Sequence, residues 1–414
     1  MPSRVIGRCA ALMMALMMMM LVMAAGCTAS RRADSPQLGA TGRTTPIPTP
    51  AEALDRGVTF LIEHQNPDGS WGSFESARPG EIYLGTTASH RAFRDASSAL
   101  CVMALIEPSR TDAEALAALE RGLDFLLATP PVTRATGDTF YDTWTHTYLV
   151  ESLSLISRDE RFADRRPAIE SVVRREIEIL CERQAAEGGW GYYDFGWARP
   201  TPTGDQSTSF NTASALLAFH AAREAGFAVP QHTIDDALTC LERLRLPSGA
   251  YVYGTYAQLN PGALYNYVKG SLGRSQPCNL ALHTYEKGVS RDDLLAGMNN
   301  FREFHHFIEI GKGRPYPHEA WYFTAGYYFL YGHWYAARVI DELESQEMQR
   351  DFRGWLAQTI ARLQDPDGSW FDFPLYGYHR FYGTAFAVMT LQRCLGQRAG
   401  DPSAESLVKV ATSF

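Results

Sequence analysis

Three copies of one loop constrain this chain more than anything else in it. Gln65-Asn-Pro-Asp-Gly69-Ser-Trp71 returns as Gln184-Ala-Ala-Glu-Gly188-Gly-Trp190 and again as Gln364-Asp-Pro-Asp-Gly368-Ser-Trp370. Gln65 and Gln184 stand 119 residues apart, and Gln184 and Gln364 stand 180 apart. These intervals are close to two and three periods of roughly 60 residues, the regularity of a repeat architecture. An eroded copy occurs where the period asks for one, at Arg245-Leu-Pro-Ser-Gly249-Ala-Tyr251. Near positions 125 and 305 the loop signature is lost, although helical runs continue on both sides. Six units result.

Each unit reads as two helices. Apolar residues at helical spacing pair Ala51–His64 with Asp95–Ile106, Asp112–Leu127 with Asp142–Ile156, and Arg166–Arg183 with Ser207–Glu224. The later pairs are Thr233–Leu244 with Cys278–Glu286, Arg291–Phe304 with Glu319–Ile340, and Gln346–Leu363 with Tyr382–Leu395. First helices are amphipathic and charged, whereas second helices such as Phe210–Ala222 are apolar nearly all round, which marks them as buried. Six charged outer helices around six apolar inner ones make a double-walled ring. An open solenoid is the alternative, but it needs no fully buried layer.

The Gln-x-x-x-Gly-x-Trp loop between an outer and an inner helix resembles the repeat of squalene–hopene cyclases and protein prenyltransferase β subunits. The resemblance spans roughly residues 50–396 and implies an all-α, (α/α)6 double-ring toroid. It also implies that each Gln braces a helix end and each Trp stacks over it. Gly69, Gly188 and Gly368 suit a tight reversal, and Trp71, Trp190 and Trp370 supply large buried area. These motif residues are structural rather than catalytic.

The resemblance gives a scaffold without its activities. No Asp-x-Asp-Asp acid motif occurs, no Cys has Asp two residues before it for a prenyltransferase zinc site, and the Gly-Cys-Gly-Glu-Gln of thioester domains is missing. An Asp-Asp-x-x-Asp magnesium site is missing too. His305-His306 does not read as a metal pair, since adjacent helical residues diverge by about 100°. No metal set and no cofactor is legible.

In such toroids the inner-helix N-termini line the cavity, and polar residues gather there in this sequence. Asp142 and His146, four apart, share a helical face and form a candidate acid–base pair, or else a helix-terminal Asp beside a surface His. His318 and Tyr322 share a face if the fifth inner helix starts at Glu319, giving a second proton-transfer pair. Arg274, Asn279 and His283 in the fourth unit, and His379 with Arg380 in the sixth, are candidate ligand-binding groups for a polar or anionic molecule. The aromatic run from Trp321 to Tyr335 fits a cation-stabilising or sugar-stacking wall, or simply core.

The ends carry address information. Arg4 and Arg8 precede a Met- and Leu-rich apolar run that closes on Ala24-Ala25-Gly26-Cys27. This is the pattern of an export signal, and its end resembles a bacterial lipobox. Residues 1–26 are then a signal peptide, and Cys27 carries a lipid that ties the protein to a membrane at the cell envelope. A single transmembrane helix is the competing reading of the same run. Residues 27–50 are a Thr/Pro-rich tether, 51–396 the toroid, and 397–414 a C-terminal tail. The five later cysteines, widely spaced and odd in number, read as buried thiols rather than a disulfide framework. A net charge of −8 offers no footprint for nucleic acid.

Three functions fit: a terpenoid-cyclase-like protein with a ligand in its central cavity, a carbohydrate-active lyase or hydrolase on a helical toroid, and a non-catalytic envelope binding or scaffold protein. Polar side chains that converge at the mouth favour an enzyme. Outward-pointing ones favour a binding surface.

Overall fold

Thr49 opens the helical part of the chain. Its hydroxyl accepts from the Glu52 amide while Glu52 bonds back to the Thr49 amide, a capping box that starts outer helix 1, Pro50–Glu63. The computed structural model describes residues 46–81, 84, 86–133, 140–194 and 206–396. The chain divides into two units, residues 1–46 and 47–414, and among the described residues the helices lie in the second, the first of them starting at Pro50. The signal segment, Cys27 and the 397–414 tail lie outside the described residues.

The outer helices are Pro50–Glu63, Ala113–Ala128, Arg166–Glu182, Gln231–Leu244, Arg291–Glu303 and Gln346–Ala361. The inner helices are Thr87–Leu105, Thr143–Ser157, Ser209–Glu224, Val268–Thr284, Tyr328–Asp341 and His379–Cys394. Each inner helix packs on the next and the sixth packs on the first, so the inner ring is closed. The fold is an α/α toroid. One antiparallel pairing of two-residue strands, Phe140–Tyr141 with Tyr193–Asp194, ties two loops together.

The repeat loop works the same way in its three good copies. The Gln side-chain amide donates back to the motif Gly carbonyl and across to the next outer helix. Gln65 reaches Ala118 O at 2.9 Å, Gln184 reaches Thr233 O at 2.7 Å, and Gln364 reaches Ala53 O at 2.8 Å. The last bond joins unit six to unit one. Each Trp indole N–H donates to its own outer helix, at Leu61 O, Leu180 O and Ile360 O. Its backbone N–H donates to an inner-helix hydroxyl, on Ser98, Thr212 and Thr384. The glycines at 69, 188 and 368 all have φ near +90°. A Cβ on Gly69 would lie 2.3 Å from Arg121 O, so only glycine lets the loop touch its neighbour.

In the eroded copy, Arg245 braces the next unit instead, through Gly288 O at 2.7 Å and Asp293 at 2.6 Å. Tyr251 replaces the Trp and donates to Asn279 at 2.9 Å.

Three inner helices depart from their expected starts, and inner helix 1 begins at Thr87 rather than Asp95. Inner helix 4 begins at Val268 rather than Cys278 and runs through Pro277. Gly273 there meets Gly332 of inner helix 5 so closely that a Cβ on Gly332 would lie 2.6 Å from the Gly273 Cα. Inner helix 5 begins at Tyr328 rather than Glu319. The stretch before it holds three non-glycine residues in the left-handed region, His318, Tyr322 and Phe323, a conformation no α-helix contains. Gly326 then lets the chain pass within contact of the Asp372 and Gly311 carbonyls. Cys101, Cys181, Cys240, Cys278 and Cys394 are free thiols. Among the described residues no helix is long and apolar enough to cross a membrane.

Candidate functional site

The N-terminal ends of the inner helices surround a central cavity of about 350 Å³, within the ~300–1,000 Å³ range of small-molecule sites. Among the described residues, 21 line it; fourteen of these are Phe, Tyr or Trp, and none is Asp, Glu, Lys or Arg. Trp144 and Tyr148 come from inner helix 2, Phe210 from inner helix 3, Tyr328 and Tyr331 from inner helix 5, and Tyr382 and Phe386 from inner helix 6. Trp144 lies flat on Tyr148 at 5.5 Å, and Phe210 stands edge-on to Tyr253 and Tyr328. Such packing holds the walls apart as a shaped apolar chamber.

Four of the tyrosine hydroxyls form one cluster. The Tyr192 hydroxyl lies 2.5 Å from that of Tyr253, 3.3 Å from Tyr328 and 3.4 Å from Tyr327. Tyr253 and Tyr327 are 3.2 Å apart. Beside them, His318 Nδ1 lies 2.7 Å from the Phe323 carbonyl, which can only accept. The proton is therefore on Nδ1, and bare Nε2 accepts from the Tyr327 hydroxyl at 3.2 Å. Burial lowers the His318 pKa, against the Phe323 hydrogen bond and with the help of the Arg274 charge. The imidazole is thus neutral, a base reached through Tyr327. Burial likewise pushes the phenols of Tyr192, Tyr253 and Tyr328 well up, so they stay protonated.

Of the proton-transfer and ligand-binding groups named from the sequence, His318 alone is among the described lining residues, and the aromatic run contributes Tyr327, Tyr328 and Tyr331. Tyr322 does not share the face of His318, because the helix that would align them does not exist there. It packs edge-on against Phe307 at 5.0 Å instead. Asp142 and His146 do pair, at 3.1 Å, but both are buried behind the cavity wall. His146 Nδ1 lies 2.5 Å from Glu176 on outer helix 3, and Arg183 holds Asp142 at 2.6 Å. Burial alone would lower the His146 pKa, yet the Asp142 and Glu176 hydrogen bonds raise it to about 8. This is an imidazolium clamp between two rings of helices, not a group facing a ligand.

The expected ligand-binding quartet is dispersed. Asn279 faces outward and accepts from Tyr251. His283 sits at the far end of its helix, on Val289 O at 2.9 Å. Arg380 bonds Asp367 and Ser369 of the repeat loop, and its neighbour His379 bonds Tyr376 O. Arg274 is fully buried behind the tyrosines. His305 and His306 diverge, His305 meeting His333 at 2.9 Å and His306 lying on Phe307.

Sequence pattern alone does not single out Tyr192 and Tyr253, yet a signal for them exists. Each stands two residues after its motif aromatic, Trp190 or Tyr251, and that register position points to the cavity in units three and four. In unit six the same position holds Asp372, fully buried, accepting from the Leu330 amide at 2.9 Å. Burial raises its pKa to about 7.

Fold and site together define an α/α toroid protein with an aromatic central chamber. No family model and no curated protein matches the sequence. Solved structures with this fold do. Cellobiose 2-epimerase from Spirochaeta thermophila aligns at 13% identity and TM-score 0.54, covering 83% of this chain and 95% of its own. Type II terpene cyclase MstE from Scytonema aligns at 13% identity and TM-score 0.48, covering 84% and 99%. A possible GH105 member from Klebsiella pneumoniae aligns at 14% and 0.47, covering 89% and 99%. At 13% identity the likeness to the epimerase is one of fold alone.

Proposed function

We propose that this is an exported toroid, anchored to the envelope by a lipid on Cys27, whose central chamber takes a small molecule with an apolar body of isoprenoid or acyl type. One observation carries the reading: among the described lining residues fourteen are aromatic and none is Asp, Glu, Lys or Arg. An apolar chain is solvated by such walls and loses nothing on entry. A sugar presents hydroxyls around its whole rim and needs donors and acceptors on several sides, whereas here the Tyr192, Tyr253, Tyr327 and Tyr328 hydroxyls and His318 form a single cluster. The ligand is therefore amphipathic, with one polar head. Any chemistry on that head would use His318 Nε2 as base and Tyr327 as the group passing the proton.

Calorimetric titration of the purified chain with 1-decanol tests this. Wild type binds one molecule, and Ala96→Trp, which fills the chamber from inner helix 1, binds none. Equal binding by both proteins, or binding of cellobiose but not decanol, contradicts the reading.

A further inference from the structure

Arg274 is fully buried on inner helix 4, and among the described residues no carboxylate lies within ion-pair distance of it. Its guanidinium donates only to carbonyls, those of Gly270 at 2.9 Å, Tyr265 at 2.5 Å and Tyr251 at 3.4 Å. It also lies against two cavity-wall rings, 5.0 Å from the centre of Tyr253 and 5.4 Å from that of Tyr328. A buried charge without a counter-ion is costly, and guanidinium cannot escape the cost by losing its proton. Its positive field therefore reaches the chamber at the tyrosine hydroxyl cluster.

From this geometry we infer that the chamber's hydroxyl cluster is a receptor for an anionic oxygen, a carboxylate or phosphate head, built from the Tyr192, Tyr253 and Tyr328 hydroxyls with Arg274 behind them. The inference rests on the apolar-body reading above and names the head that completes it. The long contacts of Tyr192 with Tyr327 and Tyr328, 3.4 and 3.3 Å, lie well beyond an ordinary O–H···O bond. The Tyr192 and Tyr328 protons turn readily to a charged acceptor, which makes shorter and stronger bonds, while Tyr327 keeps its donation to His318. An aromatic chamber suggests a cationic guest at first sight. Here the guanidinium already lies against Tyr253 and Tyr328, and its like charge repels a second cation across those rings.

The opposite wall does not cancel this field. Asp372, behind Tyr382 and Phe373, is substantially protonated near neutral pH because it is buried. Arg78 lies 5.2 Å from the Phe373 ring with Glu81 at 3.9 Å, a balanced pair. Arg274 is a positioning residue: it orients and polarises the hydroxyls without lining the chamber.

The test compares decanoate, 1-decanol and decyltrimethylammonium as probes of one chain length, by equilibrium titration of the purified full chain at neutral pH. Decanoate is expected to bind wild type at least about tenfold more tightly than decanol, with the ammonium probe weakest. Arg274→Met brings decanoate within about twofold of decanol while decanol affinity holds, and Arg274→Lys restores part of the difference. Tyr192→Phe, which leaves the charge in place, also reduces the preference, so the test survives a poorly folding Arg274 variant. Decanol binding as well as decanoate, or the ammonium probe binding best, overturns the inference and leaves the apolar chamber standing. Binding of none of the three sinks both.

Discussion

Glu151 of inner helix 2 and Arg338 of inner helix 5 meet at 2.7 Å from opposite sides of the ring. Glu151 is buried, and Arg338 also lies over the Trp334 and Tyr335 rings at 5.6 and 5.4 Å. Inner helices 2 and 5 are not neighbours in the ring, so this pair is a strut across it, and the chamber lies toward the helix N-termini.

Removing one partner of the strut strands a buried charge. Arg338→Met should destabilise the protein by roughly 3–5 kcal/mol, measured by urea unfolding. Arg338→Met with Glu151→Leu should recover most of that loss, since no charge is then left unpaired. If the single variant unfolds like wild type, the strut carries no weight.

The repeat loops make a second prediction. Trp190 is 1% exposed and bonded to Leu180 O, so Trp190→Ala should cost about 3–5 kcal/mol, as for other large core truncations. Gly188→Ala should be destabilising as well, because its φ is +99° and its Cβ would lie 2.3 Å from Asp236 O. Thermal melting of both variants checks this.

The clamp at His146 makes stability depend on pH. Its folded-state pKa of about 8 lies above the unfolded value of 6.5. The imidazolium therefore contributes fully below about pH 6.5 and loses its contribution as pH rises through 8, a change of about 2 kcal/mol. Asp95, raised to about 7 by burial, also feels the His146 charge, which lowers its pKa, so the two groups titrate as a linked pair. The stability difference between wild type and His146→Gln should accordingly shrink between pH 6.5 and 8.5. A constant difference across that range would mean that His146 is neutral in the folded protein.

The toroid was legible because its period is written in loop residues whose geometry admits few substitutes: Gln364 and Gly368 must reach outer helix 1, and Trp370 must bond Ile360. Helix starts were less legible where tertiary packing outweighed pattern. Inner helix 4 passes through Pro277, and the aromatic run before Tyr328 looks helical yet turns left-handed at Tyr322 and Phe323. Of the residues singled out in the sequence, the cavity lining includes His318 and, from the aromatic run, Tyr327, Tyr328 and Tyr331. His146, Arg274 and Arg380 read as ligand-facing because polar residues near inner helices draw attention. Burial and ion pairing, which depend on the neighbouring ring, turn them inward to Glu176, to the carbonyls around Tyr265 and to Asp367. A tyrosine two residues past a motif aromatic reads as ordinary core until six units are laid in register.

The most direct measurement is mass spectrometry of small molecules released on denaturing the protein purified from its producing cells, beside Ala96→Trp prepared identically. An amphipathic molecule with an apolar body and an acidic head, present in wild type and depleted in the variant, is the expected result. A sugar retained by wild type and lost from the variant would contradict the account, as would equal contents of every molecule in the two proteins.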